Sequence, residues 1–216
     1  MCDVNYRGKM WSPEKSQATM KELLPLVDIC IANDEDAPAG LGMTCVSGSL
    51  AHGIEERDTY VEMARQICAE YGCKKVASVV RNISCVERSI WMGMLFDAES
   101  GEHWFSPAHD VHVLEGVAAG DAFNAGLVHA LINDFDPQAA VNYAIAASIL
   151  KLTIKGDSNL VTADEIAAVA NAADGAPASP VNRSPLSPAR QNHLVPFRFC
   201  LAFLHDWPRS RFRNCL

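Results

Sequence analysis

The sequence predicts an α/β layered domain built on a mainly parallel sheet. Two observations point there. Short buried strand runs alternate with helical stretches of roughly 10–15 residues. A small-residue turn at Gly116–Asp121 also opens directly into a long helix. A hydrophobic share of 49% against 20% charged residues, over 216 positions, supplies enough apolar surface for a core.

Asp3-Val4-Asn5 reads as the end of a core strand. Ser12-Pro13-Glu14 starts a helix, with Ser at the N-cap, Pro at the first turn and an acid behind it. Met20, Leu23, Leu24 and Val27 recur at helical spacing, and Pro25 limits that helix. Val27–Ala32 is a short buried strand that runs into Asn33-Asp34-Glu35-Asp36. Residues 38–53, rich in Gly, Ser and Thr, are expected to form a loop. Asp58 is expected to cap a helix that Gly72 stops after Tyr71. Lys75–Val80 and Ile90–Phe96 read as strands, and Met92 and Met94 as packing residues; Asp97–Gly101 is a turn. Val111–Leu114 is a short strand with His112 packed inside it. Helices follow over Ala122–Ile132, Gln138–Leu152 and Ala163–Ala173, the last capped by Thr162 with Asp164 and Glu165 on its positive end.

Charge divides the chain. The formal net charge is -8. Residues 175–216 hold six arginines against the single acid Asp206, so an acidic body precedes a basic tail. An acidic body opposes phosphate-backbone binding, so no nucleic-acid partner is expected. Six of the 11 prolines fall in the same tail, which predicts a boundary at 174 and a disordered or extended segment beyond it. The apolar run 196–207 within the tail has no identifiable partner. None of the 8 cysteines makes a C-x-x-C pair, which gives a zinc site little support. Met1 is followed by no secretory apolar segment, and no apolar run reaches about 18 residues. No membrane span and a reduced, cytoplasmic setting with structural thiols are expected. Cys68 and Cys73 read as core and turn.

The chemistry concentrates at Gly116–Asp121. Main-chain N–H groups of Ala118, Ala119 and Gly120 can converge on one point, where the helix terminus adds about half a positive charge. Such a point suits an anionic oxygen whose charge grows during phosphoryl transfer, a reaction dominated by positioning and electrostatics. Asp121 would stand beside it to accept a hydroxyl proton. The same residues also fit a plainer reading: an acid in a first helical turn behind a glycine loop.

Gly120-Asp121-Ala122-Phe123-Asn124-Ala125-Gly126 resembles the C-terminal motif of the ribokinase-like carbohydrate kinases. Asp3-Val4-Asn5-Tyr6-Arg7 with Trp11-Ser12-Pro13-Glu14, Val27–Ala37, Asp110–Val113 and Ala144–Leu160 resemble one branch, the 2-keto-3-deoxygluconate kinases. The similarity runs over about residues 2–172. It implies a ribokinase-like three-layer sandwich, represented by its C-terminal nucleotide-binding and catalytic part over 1–174 with the N-terminal half missing. It implies ATP-dependent phosphorylation of a sugar acid with Mg2+. Asp121 would be the base and Ala118, Ala119 and Gly120 the anion hole. Arg7, Asn5 and Asp121 would meet the substrate, since a guanidinium suits a carboxylate. Val79, Arg81, Gly120 and Asn142 would flank ATP. Asn33, Glu35 and Asp36 would organise magnesium indirectly. Arg7 also reads as a surface cation and residues 34–36 as a solvated loop, although Asn33 directly follows a buried strand, where α/β proteins bind ligands. Self-association stays open.

Three departures oppose activity. Ala118 stands where the family pattern has Gly, and a methyl group costs on the order of 1 kcal/mol if the bend needs positive φ. Glu115-Gly116 replaces a usual Asp-Arg, and Val79 a usual Thr. The late start and the unrelated tail add to these. The second reading is therefore a non-catalytic remnant that at most binds nucleotide.

Overall fold

The computed structural model describes residues 1–44 and 52–172. The strands are β1 (Cys2–Asp3), β2 (Ile29–Ile31), β3 (Lys75–Cys85), β4 (Arg88–Asp97), β5 (His103–Phe105) and β6 (His109–His112). The helices are α1 (Pro13–Leu23), α2 (Asp36–Leu41), α3 (Arg57–Tyr71), α4 (Ala119–Ile132), α5 (Pro137–Lys151) and α6 (Ala163–Ala170). The boundary expected at 174 and the whole tail lie outside the described residues. Among the described residues no helix is long and apolar enough to cross a membrane, and Cys2, Cys30, Cys68, Cys73 and Cys85 are free thiols.

The sheet is mixed, with helices on both faces. β1, β2 and β3 pair in parallel, Asp3 opposite Ile31 and Ile31 opposite Ala77. β4 then runs antiparallel to β3, and both β5 and β6 pair antiparallel to β4. Strand alternation divides the core, because successive side chains point to opposite faces. Val76 and Val80 with Met92, Met94 and Phe96 pack with Met63 and Ile67 of α3 and Met20 of α1. Ala77 and Val79 with Trp91 and Leu95 pack against Phe123 and Leu127 of α4 and Val141 and Ile145 of α5. Gly93 lets α4 and α5 approach the sheet: a Cβ there would stand 3.0 Å from Val141 and 3.2 Å from Phe123.

Local chemistry explains most ends. Ser12 caps α1 by accepting from Lys15 N, and Asp136 caps α5 from Ala139 N. Thr162 and Glu165 form a reciprocal capping box at α6, and Gly72 ends α3 in the left-handed conformation.

Several expectations are corrected. Part of the expected loop is helix: α2 forms over Asp36–Leu41 because its small side chains fit under α1, where Ser16 Oγ donates to Gly40 O at 3.3 Å. The cap of α3 is Glu56 rather than Asp58, two residues earlier than the acid suggested. β3 extends to Cys85 because its hairpin with β4 pairs it that far. β5 was not foreseen. The last strand is β6 over 109–112, which leaves His112 exposed and buries His109. The helix after Thr162 ends at Ala170.

Candidate active site

The carboxyl ends of the parallel strands gather the candidate residues. Asp3 ends β1, Asn33–Asp36 follow β2, and Val79 and Arg81 lie in β3 beside them. The N-terminus of α4 faces the same end: Asn124 Nδ2, three residues from Asp121 on one helix face, donates to Asp3 Oδ2 at 2.8 Å. Ligands of open α/β sheets bind at this end.

The bend is formed as the sequence suggests. Ala118 sits at the N-cap of α4 with φ 61 and ψ 13, in the left-handed region. The first ladder bond runs from Ala122 N to Ala118 O at 2.9 Å, so the amides of Ala119, Gly120 and Asp121 precede the ladder. Beside Gly120 an added Cβ would meet nothing within 4 Å, which leaves room for an anion at the mouth. Asp121 is exposed, so its carboxylate is not buried in the core. Ser148 Oγ of α5, itself buried, holds Ala119 O at 2.9 Å.

Left-handed geometry at a non-glycine residue costs about 1 kcal/mol or more. Ala118→Gly is therefore expected to raise the unfolding free energy by about 1 kcal/mol, read as a higher urea midpoint at unchanged m. A midpoint that falls or stays put would show that the bend is not strained.

Carboxylates crowd the site. Burial raises Asp3 to about 6, the Asn124 hydrogen bond opposes that rise, and the charges of Asp36 and Asp121 add to it. Burial also raises Asp36, partly countered by Arg7 and Asn33. Arg7 is mostly exposed, and its Nη1 lies 3.7 Å from Asp36 Oδ1. Asn5 follows β1 at φ 39, a conformation that Asn tolerates better than most residues, and its main-chain N–H serves the Asp3 carboxylate.

The acids after β2 are already engaged. Asn33 Oδ1 accepts from Val79 N at 2.9 Å. Glu35 Oε2 pairs with Arg81 Nη2 at 3.1 Å, and that guanidinium lies 5.3 Å from the Trp91 ring. Among the described residues no three His, Cys, Asp or Glu side chains converge on a metal-sized point. Asn33, Glu35 and Asp36 thus do not fit as a direct magnesium cage.

The structure brings Asn5, Arg7, Asn33, Asp36 and Asp121 to one end of the sheet, with Val79 buried behind them. Asn142 stands apart. It lies six residues before Ser148 on α5, about 9 Å along the helix, where its Oδ1 accepts from Gln138. There it lines a cavity of about 450 Å³ with Phe135, Tyr143 and Asn171. Sequence reading missed Asp3 and Asn124 as site members. The spacing of Asn124 from Asp121 on one helix face was an available signal.

Comparison with known proteins gives the fold its relatives. The profile of the pfkB family carbohydrate kinases matches residues 1–164. A 2-dehydro-3-deoxygalactonokinase of Haloferax volcanii is 24% identical over 172 residues, covering 80% of this chain and 47% of its own. The crystal structure of 2-dehydro-3-deoxygluconokinase from Thermotoga maritima superposes with a TM-score of 0.72 at 33% identity, covering 79% of this chain and 49% of that one. A carbohydrate kinase structure from Listeria grayi gives 0.65 at 29% identity, covering 78% and 48%. The chain thus spans about half the length of these relatives.

Proposed function

The chain belongs to the pfkB family of carbohydrate kinases, and from that premise we propose that it transfers the γ-phosphoryl group of ATP to a hydroxyl of a 2-keto-3-deoxy sugar acid, 2-keto-3-deoxygluconate first. One observation carries this reading. The unladdered amides at the start of α4 and the exposed Asp121 lie together near the carboxyl ends of β1 and β2, close enough for the Asp121 charge to act on Asp3.

Asp121 accepts the hydroxyl proton as the hydroxyl oxygen bonds to the γ-phosphorus and the bond to the leaving ADP oxygen breaks. The amides of the bend, from Ala118 to Gly120, stabilise the charge that grows on the transferred group. Arg7, with its guanidinium exposed, takes the substrate carboxylate, and Asn5, two residues before it, meets the same substrate. Val79 and Arg81 border the nucleotide beside Gly120. Asn142, by its place on α5, would have to reach the nucleotide from the side of the cavity. Magnesium offsets phosphate charge when it accompanies ATP. Asn33, Glu35 and Asp36 shape the field around it without ligating it. The substrate class rests on the two relatives named for 2-dehydro-3-deoxy acids.

The test is incubation of the chain with ATP, magnesium and 2-keto-3-deoxygluconate, following ADP release and the phosphorylated acid by mass. Both products are expected in equal amounts. A folded chain that binds ATP but forms neither favours the second reading, a non-catalytic nucleotide binder, which the methyl group of Ala118 in the bend already supports.

A further inference from the structure

Among the described residues a lysine is the largest charged side chain in the core. Lys151 is 0% exposed at the C-terminal end of α5. Its ammonium donates to Ile154 O at 3.0 Å and Gly156 O at 2.8 Å. A buried ammonium is costly unless hydrogen-bonded, and these two carbonyls belong to the turn that follows its own helix. Gly156 closes that turn at φ 84.

The same turn supports the phosphate-sized bend. Leu152 O accepts from Leu114 N at 2.8 Å and from Glu115 N at 3.2 Å, on the chain entering the bend. One helical turn earlier, Ser148 holds Ala119 O on the chain leaving it. The last turn of α5 therefore grips the bend from both sides, and Lys151 is the buried cation of that turn. Burial lowers its pKa, while the carboxylates of Glu115 and Asp157 favour its charged form. Glu115 lies on the segment entering the bend, so the attraction draws the two segments together.

We infer that Lys151 is a positioning residue for the anion-binding bend, a fixed internal cation around which residues 152–156 fold and against which residues 114–119 are aligned. The inference deepens the kinase reading and rests on it for its catalytic consequence. Its structural consequence is independent of that reading.

The test uses the whole chain with Lys151→Met, which keeps the aliphatic stem and removes the charge, and with Lys151→Ala, which leaves space for a small amine. Lys151→Met is expected to lower kcat by about 100-fold, as misplacement of an aligned group does, with the KM for the sugar acid within about threefold because Arg7 is untouched. Methylammonium added to Lys151→Ala is expected to restore kcat at least tenfold, and tetramethylammonium to restore nothing, since it has no N–H to donate. A Lys151→Met chain with kcat within twofold of the parent overturns the inference. So does a Lys151→Ala chain that methylammonium does not rescue, including the case in which Lys151→Met does not fold. If the parent chain transfers no phosphate, the kinase reading fails, and amide exchange decides the inference. Leu114 and Glu115 should then exchange at least tenfold faster in Lys151→Met than in the parent, with α3 unchanged. Equal exchange at those two amides overturns it.

Discussion

Asp121→Asn is expected to lower kcat for phosphoryl transfer about a thousandfold while leaving ATP affinity within a few fold. The substitution keeps the size of the side chain and its place in the first turn of α4. What it removes is a carboxylate that can accept a proton, and positioned general bases contribute about 10²–10⁴ in rate. Binding should be spared, because the bend offers main-chain amides and the helix terminus, which the side chain does not supply. Removing a negative charge beside the phosphates should, if anything, tighten ATP slightly. Equal kcat in parent and variant would strip Asp121 of its role. The variant also has a second readout: the charge of Asp121 contributes to the rise of Asp3, so the Asp3 titration should move down in Asp121→Asn whatever the enzyme does.

Asp3 carries the second large effect, on stability against pH. Its carboxyl is raised from 3.8 to about 6 by burial, with Asp36 and Asp121 adding repulsion. A raised acid favours the fold when protonated. The contribution of Asp3 is therefore complete below pH 3.8 and is lost as pH rises through about 6. At 1.36 kcal/mol per pH unit the loss is on the order of 3 kcal/mol by pH 7. Asp3→Asn removes the titration and keeps an oxygen for Asn124 to donate to. The variant should match the parent near pH 4 and exceed it by on the order of 3 kcal/mol at pH 7, measured by urea unfolding at each pH. Taking the difference between the two chains cancels the acids that shift the other way, such as Asp97 and Asp110 beside their cationic partners. A gap that does not widen between pH 4 and 7 refutes the assignment. The cost is intelligible if the site trades stability for function: the buried Asn124 Oδ1 is likewise left without a partner among the described residues.

Legibility in the sequence followed the range of the forces involved. Elements with strong local chemistry were found with the right type: α1 behind Ser12-Pro13, α5 behind Pro137, α6 behind Thr162 with its two acids, and β3 as a run of apolar residues. α2 was missed because Pro38 and Gly40 argue against a helix locally, while packing under α1 favours it; tertiary contact outweighed propensity. β5, with only three residues, is stabilised by pairing with β4 and has no pattern of its own.

By itself the sequence determined the class of layers, the bend before α4 and the likeness to a kinase family, because strand and helix alternation, short motifs and a small-residue turn before a helix are each encoded locally in the chain. Only the tertiary structure decided which side chains meet at the carboxyl ends of the parallel strands. It placed Asp3 against Asn124, 121 residues away along the chain. It set Asn142 apart on α5, and it enclosed the Lys151 ammonium under the bend. Those relations arise from strand register and helix packing, which bring distant segments to within hydrogen-bond reach and remove the water that would otherwise screen their charges.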